Sequence, residues 1–394
     1  MRNVQTSAVA LQKTTSEDYE GILDAVRRAV ESCGGLGDII KPGARVLVKP
    51  NLVATPESRL SGAVTRWEVT LAVVQLVKEA GGTPFVAESS SVGVDTRDVI
   101  SLCGYYYIEE AGIPVLDLKG QPEACIPAPD GQVIQMLDSW QPVVQADVII
   151  SVPVLKTHDN MEVSLGMKNL KGLVQDTQKK QLHFKDVAGG VVDIVQTLKP
   201  ALCVIDATYG MEGSGPVFGT PVHMGLILAS KDIVACDCVG SVLMGFDVQA
   251  SPVTAEAYRR GLGEARFESI RVLGEPLEKV KRRFTRSHEV TAQDLPPHTL
   301  IVGDTTCTGC RNAAINGLKH LVRSECAHLV AGKYIVTGAV QALPEGATPK
   351  NTLLIGRCAA QNFGGEGIIL MGCPPDEAGF IPALEQLEQQ RKRS

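Results

Sequence analysis

Aromatic residues are scarce in this chain, at 4% of 394 positions. No run of about 18 uncharged apolar residues occurs either, which excludes a conventional membrane-spanning helix. Basic residues do not predominate: 38 Lys and Arg stand against 44 Asp and Glu, a net charge of −6. Nucleic-acid-binding surfaces carry a basic excess, so neither nucleic acid nor membrane is expected as a partner. Neither GxGxxG nor GxxxxGK[ST] occurs, so two familiar phosphate-cradling loops are missing. No apolar core follows the single charge in Met1-Arg2-Asn3-Val4-Gln5-Thr6. A cytoplasmic protein without a secretory leader is therefore expected. No repeat of solenoid period is found.

What the chain does have is alternation. Apolar runs at 44–48, 84–87, 114–116, 147–152, 201–205 and 224–228 read as strands, and 66–80, 95–111, 189–198 and 233–244 read as helices. Uninterrupted apolar strands between helices predict an α/β protein with parallel or mixed sheets covered on both faces. The segment 275–297 breaks the pattern with Lys279, Lys281, Arg282, Arg283, Arg286 and Pro296-Pro297, and reads as an interdomain connection. Further strands are expected at 299–302, 334–336, 352–355 and 368–371, with helices at 309–325 and 376–392. The expectation is two α/β domains, 1–290 and 291–394, with an interdomain cleft.

The chain contains 11 Cys, an odd number that suits free thiols or metal ligands better than a disulfide framework. Cys307, Cys358 and Cys373 each lie just past a predicted strand of the second domain. Parallel strands would bring all three to one carboxyl edge, the usual ligand edge of open α/β sheets. Cys310 joins them through Cys307-Thr308-Gly309-Cys310. Four thiolates from separate loops suit a [4Fe-4S] cluster, and the same set suits tetrahedral zinc. Gly309, Gly356 and Gly372 would allow tight backbone there, and Pro374-Pro375 would end the last strand. Convergence at one edge favours a metal centre over a CxxC redox pair beside two core thiols. Cys326 falls roughly 20 Å away along its helix and reads as structural.

The first domain shows a comparable set of polar loops. Lys49-Pro50-Asn51, Glu88-Ser89-Ser90-Ser91, Lys156-Thr157-His158, Asp206-Ala207-Thr208 and Ser230-Lys231-Asp232 each follow a predicted strand and are expected at one carboxyl edge. The segment 166–172 and His183 would close over it. Lys49, Lys156, Lys168, Lys171 and His183 would then form a cationic pocket for phosphate or carboxylate. Gly213-Ser214-Gly215-Pro216 offers a second, backbone anion loop. The catalytic set is read as Lys156, His158, Lys168, His183 and Asp206, and the cofactor-binding set as Lys49, Asn51, Asn169 and Lys171. Taken singly, each residue also reads as ordinary loop polarity; crowding within 156–183 gives the set its weight.

Several of these motifs resemble a known family. Val48-Lys49-Pro50-Asn51-Leu52, Leu155-Lys156-Thr157-His158 and Met167-Lys168-Asn169-Leu170-Lys171-Gly172 are similar to its opening and central motifs. Ile205-Asp206-Ala207, Met211-Glu212-Gly213-Ser214-Gly215-Pro216, the run from Ala229 through Asp237 and Gly372-Cys373-Pro374-Pro375 continue the likeness. This is the domain of unknown function 362 family, and the resemblance spans roughly 44–376. Many relatives carry an appended bacterial-ferredoxin segment, which this chain replaces with only Cys307-Thr308-Gly309-Cys310. A weaker resemblance, Lys168 followed by His183, is to lactate racemase-like proteins, whose relatives tether a nickel-pincer nucleotide to a lysine. It implies two α/β domains with a cleft between them.

The leading expectation is an iron–sulfur protein, a redox or lyase-type enzyme acting on an anionic small molecule in a cleft facing a [4Fe-4S] cluster. Lys156, Lys168 and His183 would bind or protonate the substrate while Asp206 orients them. A redox partner protein and a homodimer complete the expected assembly. The alternatives are a non-redox isomerase or racemase-like enzyme with a zinc or nickel-type cofactor, and a cluster-carrying binding or maturation module.

Overall fold

The computed structural model describes residues 7–158, 161–248, 251–287, 296–303, 306, 308–361, 363, 367–373, 375 and 379–392. The chain divides into two compact units, Met1–Ser287 and His288–Ser394. The expected boundary, 290/291, falls among residues outside the described ones.

The first unit is built on a sheet whose strands are β1 (Ala8–Lys13), β2 (Arg45–Pro50), β3 (Thr83–Glu88) and β4 (Val115–Asp117), then, after the separate hairpin β5 (Glu123–Pro127) and β6 (Met136–Trp140), β7 (Val148–Val152), β8 (Val154–His158), β9 (Glu162–Ser164), β10 (Leu202–Glu212), β11 (Thr220–Ser230) and β12 (Arg271–Gly274). The main path runs β12-β1-β11-β10-β7-β2-β3-β4, with β8 beside β10 and β9 beside β8. Strands β10, β7, β2, β3 and β4 are parallel neighbours. Only β11 runs against both of its neighbours on that path.

Successive strand residues point to opposite faces, so an all-apolar strand needs cover on both sides. In β2, Val46 and Val48 join one core with the helices Tyr19–Ser32 and Trp67–Glu79, while Leu47 joins the other with the helices Val187–Leu198 and Ile233–Leu243. Asp18 and Asp232 cap two of these helices by accepting backbone N–H bonds from their first turns.

Several expectations are corrected. The helix expected over 95–111 is two helices, Thr96–Leu102 and Tyr106–Glu110, separated at Gly104 with φ +80°, a conformation a helix cannot contain. Lys156-Thr157-His158 is not a loop but the end of β8, which prolongs the sheet beyond β7. Ser230-Lys231-Asp232 lies at the opposite edge from the other polar loops, because β11 is antiparallel to β10 and Ser230 pairs with Cys203 at the start of β10. Part of 275–297 is core rather than connection: Leu277 and Phe284 are buried in the first unit.

The second unit is a wholly parallel sheet in the order β13 (Thr299–Val302), β14 (Tyr334–Thr337), β15 (Thr352–Ile355), β16 (Ile368–Leu370). The helices Thr308–Arg323 and Phe380–Lys392 pack their apolar residues with Ile335, Leu353 and Ile355. Both units are therefore α/β. No helix among the described residues is long and apolar enough to cross a membrane.

Candidate functional site

From β2 the chain steps to β3 and β4 on one side, whereas β7 and β10 lie on its other side. In open α/β sheets the crevice outside the carboxyl ends at such a reversal is where ligands bind. Lys49, at the carboxyl end of β2, is fully buried there. Its Nζ donates to Glu88 Oε2 at 2.7 Å, Pro50 O at 2.6 Å and Asn169 Oδ1 at 3.2 Å. Burial pushes its ammonium down, and the Glu88 charge acts in the opposite sense.

The short helix Gly166–Asn169 is docked over these strand ends. Asn169 Nδ2 donates to Lys49 O and Ser151 Oγ, and Ser151 Oγ donates to Gly166 O. The buried carboxylate of Asp237 accepts from Gly166 N at 2.7 Å and Met167 N at 3.0 Å, fixing the turn that carries Lys168. The next turn, Leu170–Leu173, is pinned through Gly172: its carbonyl accepts from Ser89 N and Oγ, and a Cβ there would come within 2.0 Å of Glu88 Oε1. Lys171, carried on that turn, places Nζ 2.6 Å from His183 Nε2.

His183 arrives on the helix Asp176–Lys185, one turn after Lys179, on the same face. Lys179 is buried and donates to Ser89 Oγ, the carbonyls of Ser89 and Ser90, and Asp176 Oδ1. Lys156 is buried too, with Nζ donating to Ala63 O at 2.8 Å and Pro216 O at 3.2 Å. His158 is buried at the end of β8.

The electrostatics follow from burial and from these groups acting on one another. Desolvation, then the Lys168 charge, holds Lys156 well below the usual ammonium range. Desolvation, Lys168 and Lys179 do the same to Lys171. Burial brings Lys179 down to about 8. Burial, Lys171, Lys168 and His158 bring His183 down to about 3. Lys168 thus acts on Lys156, Lys171 and His183 alike. Of the acids, Glu88 pairs with Lys49, and Asp176 is shared by Lys119 and Lys179.

Lys49, Lys156, Lys168, Lys171 and His183 therefore lie near one another, but two other predicted site residues, Asp206 and Asn51, have other duties. Asp206 is buried with its carboxylate raised by desolvation, and it accepts from Arg66 N, Thr208 N and Thr208 Oγ1. It holds the 63–66 loop rather than orienting a lysine. Asn51 donates from Nδ2 to Ala63 O, the carbonyl that Lys156 also uses. In the proposed anion loop, Gly213 N and Gly215 N donate to Thr285 O and Gly213 O, so these amides are occupied. Ser214 Oγ is buried there without a hydrogen-bond partner. Lys179 and Asp237 escaped the sequence reading. Lys179 sits in Lys179-Lys180, which looks like a solvated charge pair, and Asp237 lies inside an apolar helix.

In the second unit, Cys310 near the start of the helix after β13, Cys358 just after β15 and Cys373 just after β16 are all at the carboxyl edge. Cys310 is buried, Cys358 half-buried and Cys373 exposed. Cys310 Sγ lies against Gly356, where a Cβ would meet it at 2.6 Å, and Arg357 N donates to Gly372 O. Cys307 lies outside the described residues. Among the described residues, no three His, Cys, Asp or Glu side chains converge closely enough to hold a metal ion.

A sequence profile of the family described as "Domain of unknown function (DUF362)" matches residues 46–241. The thylakoid-associated protein sll1697 of Synechocystis sp. is 34% identical over 280 residues, 69% of this chain and 85% of that protein. The lactate racemase apoprotein of Thermoanaerobacterium thermosaccharolyticum aligns in structure over 87% of this chain and 74% of its own, at 12% identity and a TM-score of 0.38.

Proposed function

The chain belongs to the domain of unknown function 362 family, and we propose that the carboxyl edge of its larger sheet is an active site that binds a small anion and moves protons on it. The observation that carries this reading is the gathering of Lys156, Lys168, Lys171, Lys179, His158 and His183 at one sheet edge, close enough to act on one another's charge. Such a group favours a phosphate or carboxylate as its ligand. Lys171 and His183 face each other across 2.6 Å, close enough for a proton to pass between them.

A thermal-shift screen of phosphorylated and carboxylated metabolites tests the reading. A ligand at ~100 times its dissociation constant stabilises by about 2.7 kcal/mol, a rise of several degrees. The shift should vanish in Lys168→Ala and persist in Lys180→Ala, an exposed neighbour. An equal shift in both variants would place the anion elsewhere.

A second reading concerns the cysteines of the smaller unit: that Cys307, Cys310, Cys358 and Cys373 hold a [4Fe-4S] cluster, with zinc as the alternative ion. Its support is the position of Cys310, Cys358 and Cys373 at one sheet edge and the chemistry of a thiolate set. Iron content and visible absorption of anaerobically purified protein should fall in Cys310→Ser or Cys373→Ser and not in Cys326→Ser or Cys103→Ser. Equal metal in all four, or none in the wild type, would remove this reading and leave the first untouched.

A further inference from the structure

We propose that Lys171 is a nucleophilic amine that forms an imine with a small 2-oxo acid. This rests on the reading of the same edge as an anion-binding, proton-moving site, and it names the substrate class. The geometry distinguishes Lys171 from its neighbours. Lys49 is ion-paired to Glu88, Lys179 is held by Asp176 and three oxygens of Ser89 and Ser90, and Lys156 is fully buried between two carbonyls. Lys171 is only half-buried, so a substrate can reach it, and the group facing its Nζ is an imidazole, a base rather than a counter-ion. An ammonium and an imidazolium cannot share a 2.6 Å contact, so at most one of the pair is charged.

The surrounding charges decide against a charged Lys171. Lys168 and Lys179 both repel an ammonium at that position, and His158 and Lys168 repel an imidazolium at His183. Glu88, the carboxylate packed against Gly172, is engaged by Lys49. An amine desolvated beside other cations is the standard arrangement for a reactive lysine. The same cations explain why the carbonyl compound would be an acid: its carboxylate would meet the Lys168 charge while its ketone or aldehyde carbon meets Lys171 Nζ.

The step balances without a co-reactant. The Nζ lone pair attacks the carbonyl carbon, a C–N bond forms, and the C=O π pair moves to oxygen. His183 takes one amine proton and delivers it to that oxygen, giving a carbinolamine. The second N–H proton follows by the same route as the C–O bond breaks, so both amine protons leave with the carbonyl oxygen as water. The product is a neutral imine on Lys171.

Reductive trapping tests this on the full chain. Wild-type protein is incubated with pyruvate or glyoxylate and cyanoborohydride, then mapped by peptide mass spectrometry. The expected result is an adduct at Lys171 about tenfold or more above exposed Lys180, weaker with the neutral carbonyl acetone. Lys171→Arg should lose the adduct, and His183→Gln should slow its formation without moving it. The wild-type map stands even where a variant fails to fold. Labelling spread over lysines according to exposure would overturn the proposal. So would pyruvate giving the Lys168-dependent thermal shift with no adduct at Lys171, which would leave the anion site standing. Neither shift nor adduct would overturn both.

Discussion

Two lysine–carboxylate pairs sit at opposite edges of the larger sheet. Lys49–Glu88, at the carboxyl edge, spans 2.7 Å with side-chain exposures of 0% and 4%. Lys231–Asp38 spans 2.6 Å with exposures of 28% and 67%. Length does not separate them; water does. At the exposed edge the two charges are solvated with or without each other, and such pairs contribute little. At the buried edge each charge has given up its hydration, so removing one strands the other. The fold therefore carries a costly polar interior at the edge where the strand order reverses, and ordinary surface charge at the other. An interior of that kind is kept where it serves a site.

Breaking the buried pair should have the largest effect. Lys49→Met should lower unfolding free energy by ~3–5 kcal/mol, and Lys49→Met with Glu88→Leu should recover most of the loss. The same denaturant titration on Lys231→Ala should leave the midpoint nearly unmoved. If the two single variants lose equal stability, the contrast between the edges is wrong.

A smaller effect is expected at Asp237, which ties down the Lys168 turn. Asp237→Asn keeps one acceptor and loses the other, a cost of about 1–3 kcal/mol at neutral pH. The sign of its pH dependence is also fixed. Burial raises the Asp237 carboxyl from 3.8 to about 7, so the folded state holds a proton that the unfolded state has released, and this group's contribution falls as pH rises from 3.8 through 7. The variant should lack that part of the pH dependence. An unchanged pH profile would contradict it.

Much of this was legible in the sequence because burial on both faces leaves uninterrupted apolar runs, and polar residues just past them mark strand ends. Lys49 was singled out on that logic, whereas Lys156 lies within β8, and Lys168 and His183 were singled out by crowding within 156–183 rather than by following a strand. What failed was direction and burial. Ser230-Lys231-Asp232 also follows an apolar strand, but the short turn between Glu212 and Thr220 makes β11 antiparallel and sends them to the wrong edge. Lys179 and Lys180 are adjacent lysines, yet docking of one helix face buries the first and leaves the second in water. Asp206 looked like a partner for lysines because chain order does not reveal that Arg66 N and Thr208 would occupy it. Cys307 lies outside the described residues, so the complete thiolate set stays a proposal of its sequence spacing.

The most direct test of a cationic site is the protonation of His183, followed by nitrogen NMR of the imidazole rings and assigned with His183→Gln. Burial first, and then the neighbouring Lys171, Lys168 and His158, which disfavour a further proton there, hold it down to about 3 from an ordinary 6.5. The ring should stay neutral, in one tautomer, from pH 8 down through pH 5, and a bound carboxylate or phosphate should move its titration upward. Titration near 6.5, indifferent to added anion, would contradict the account.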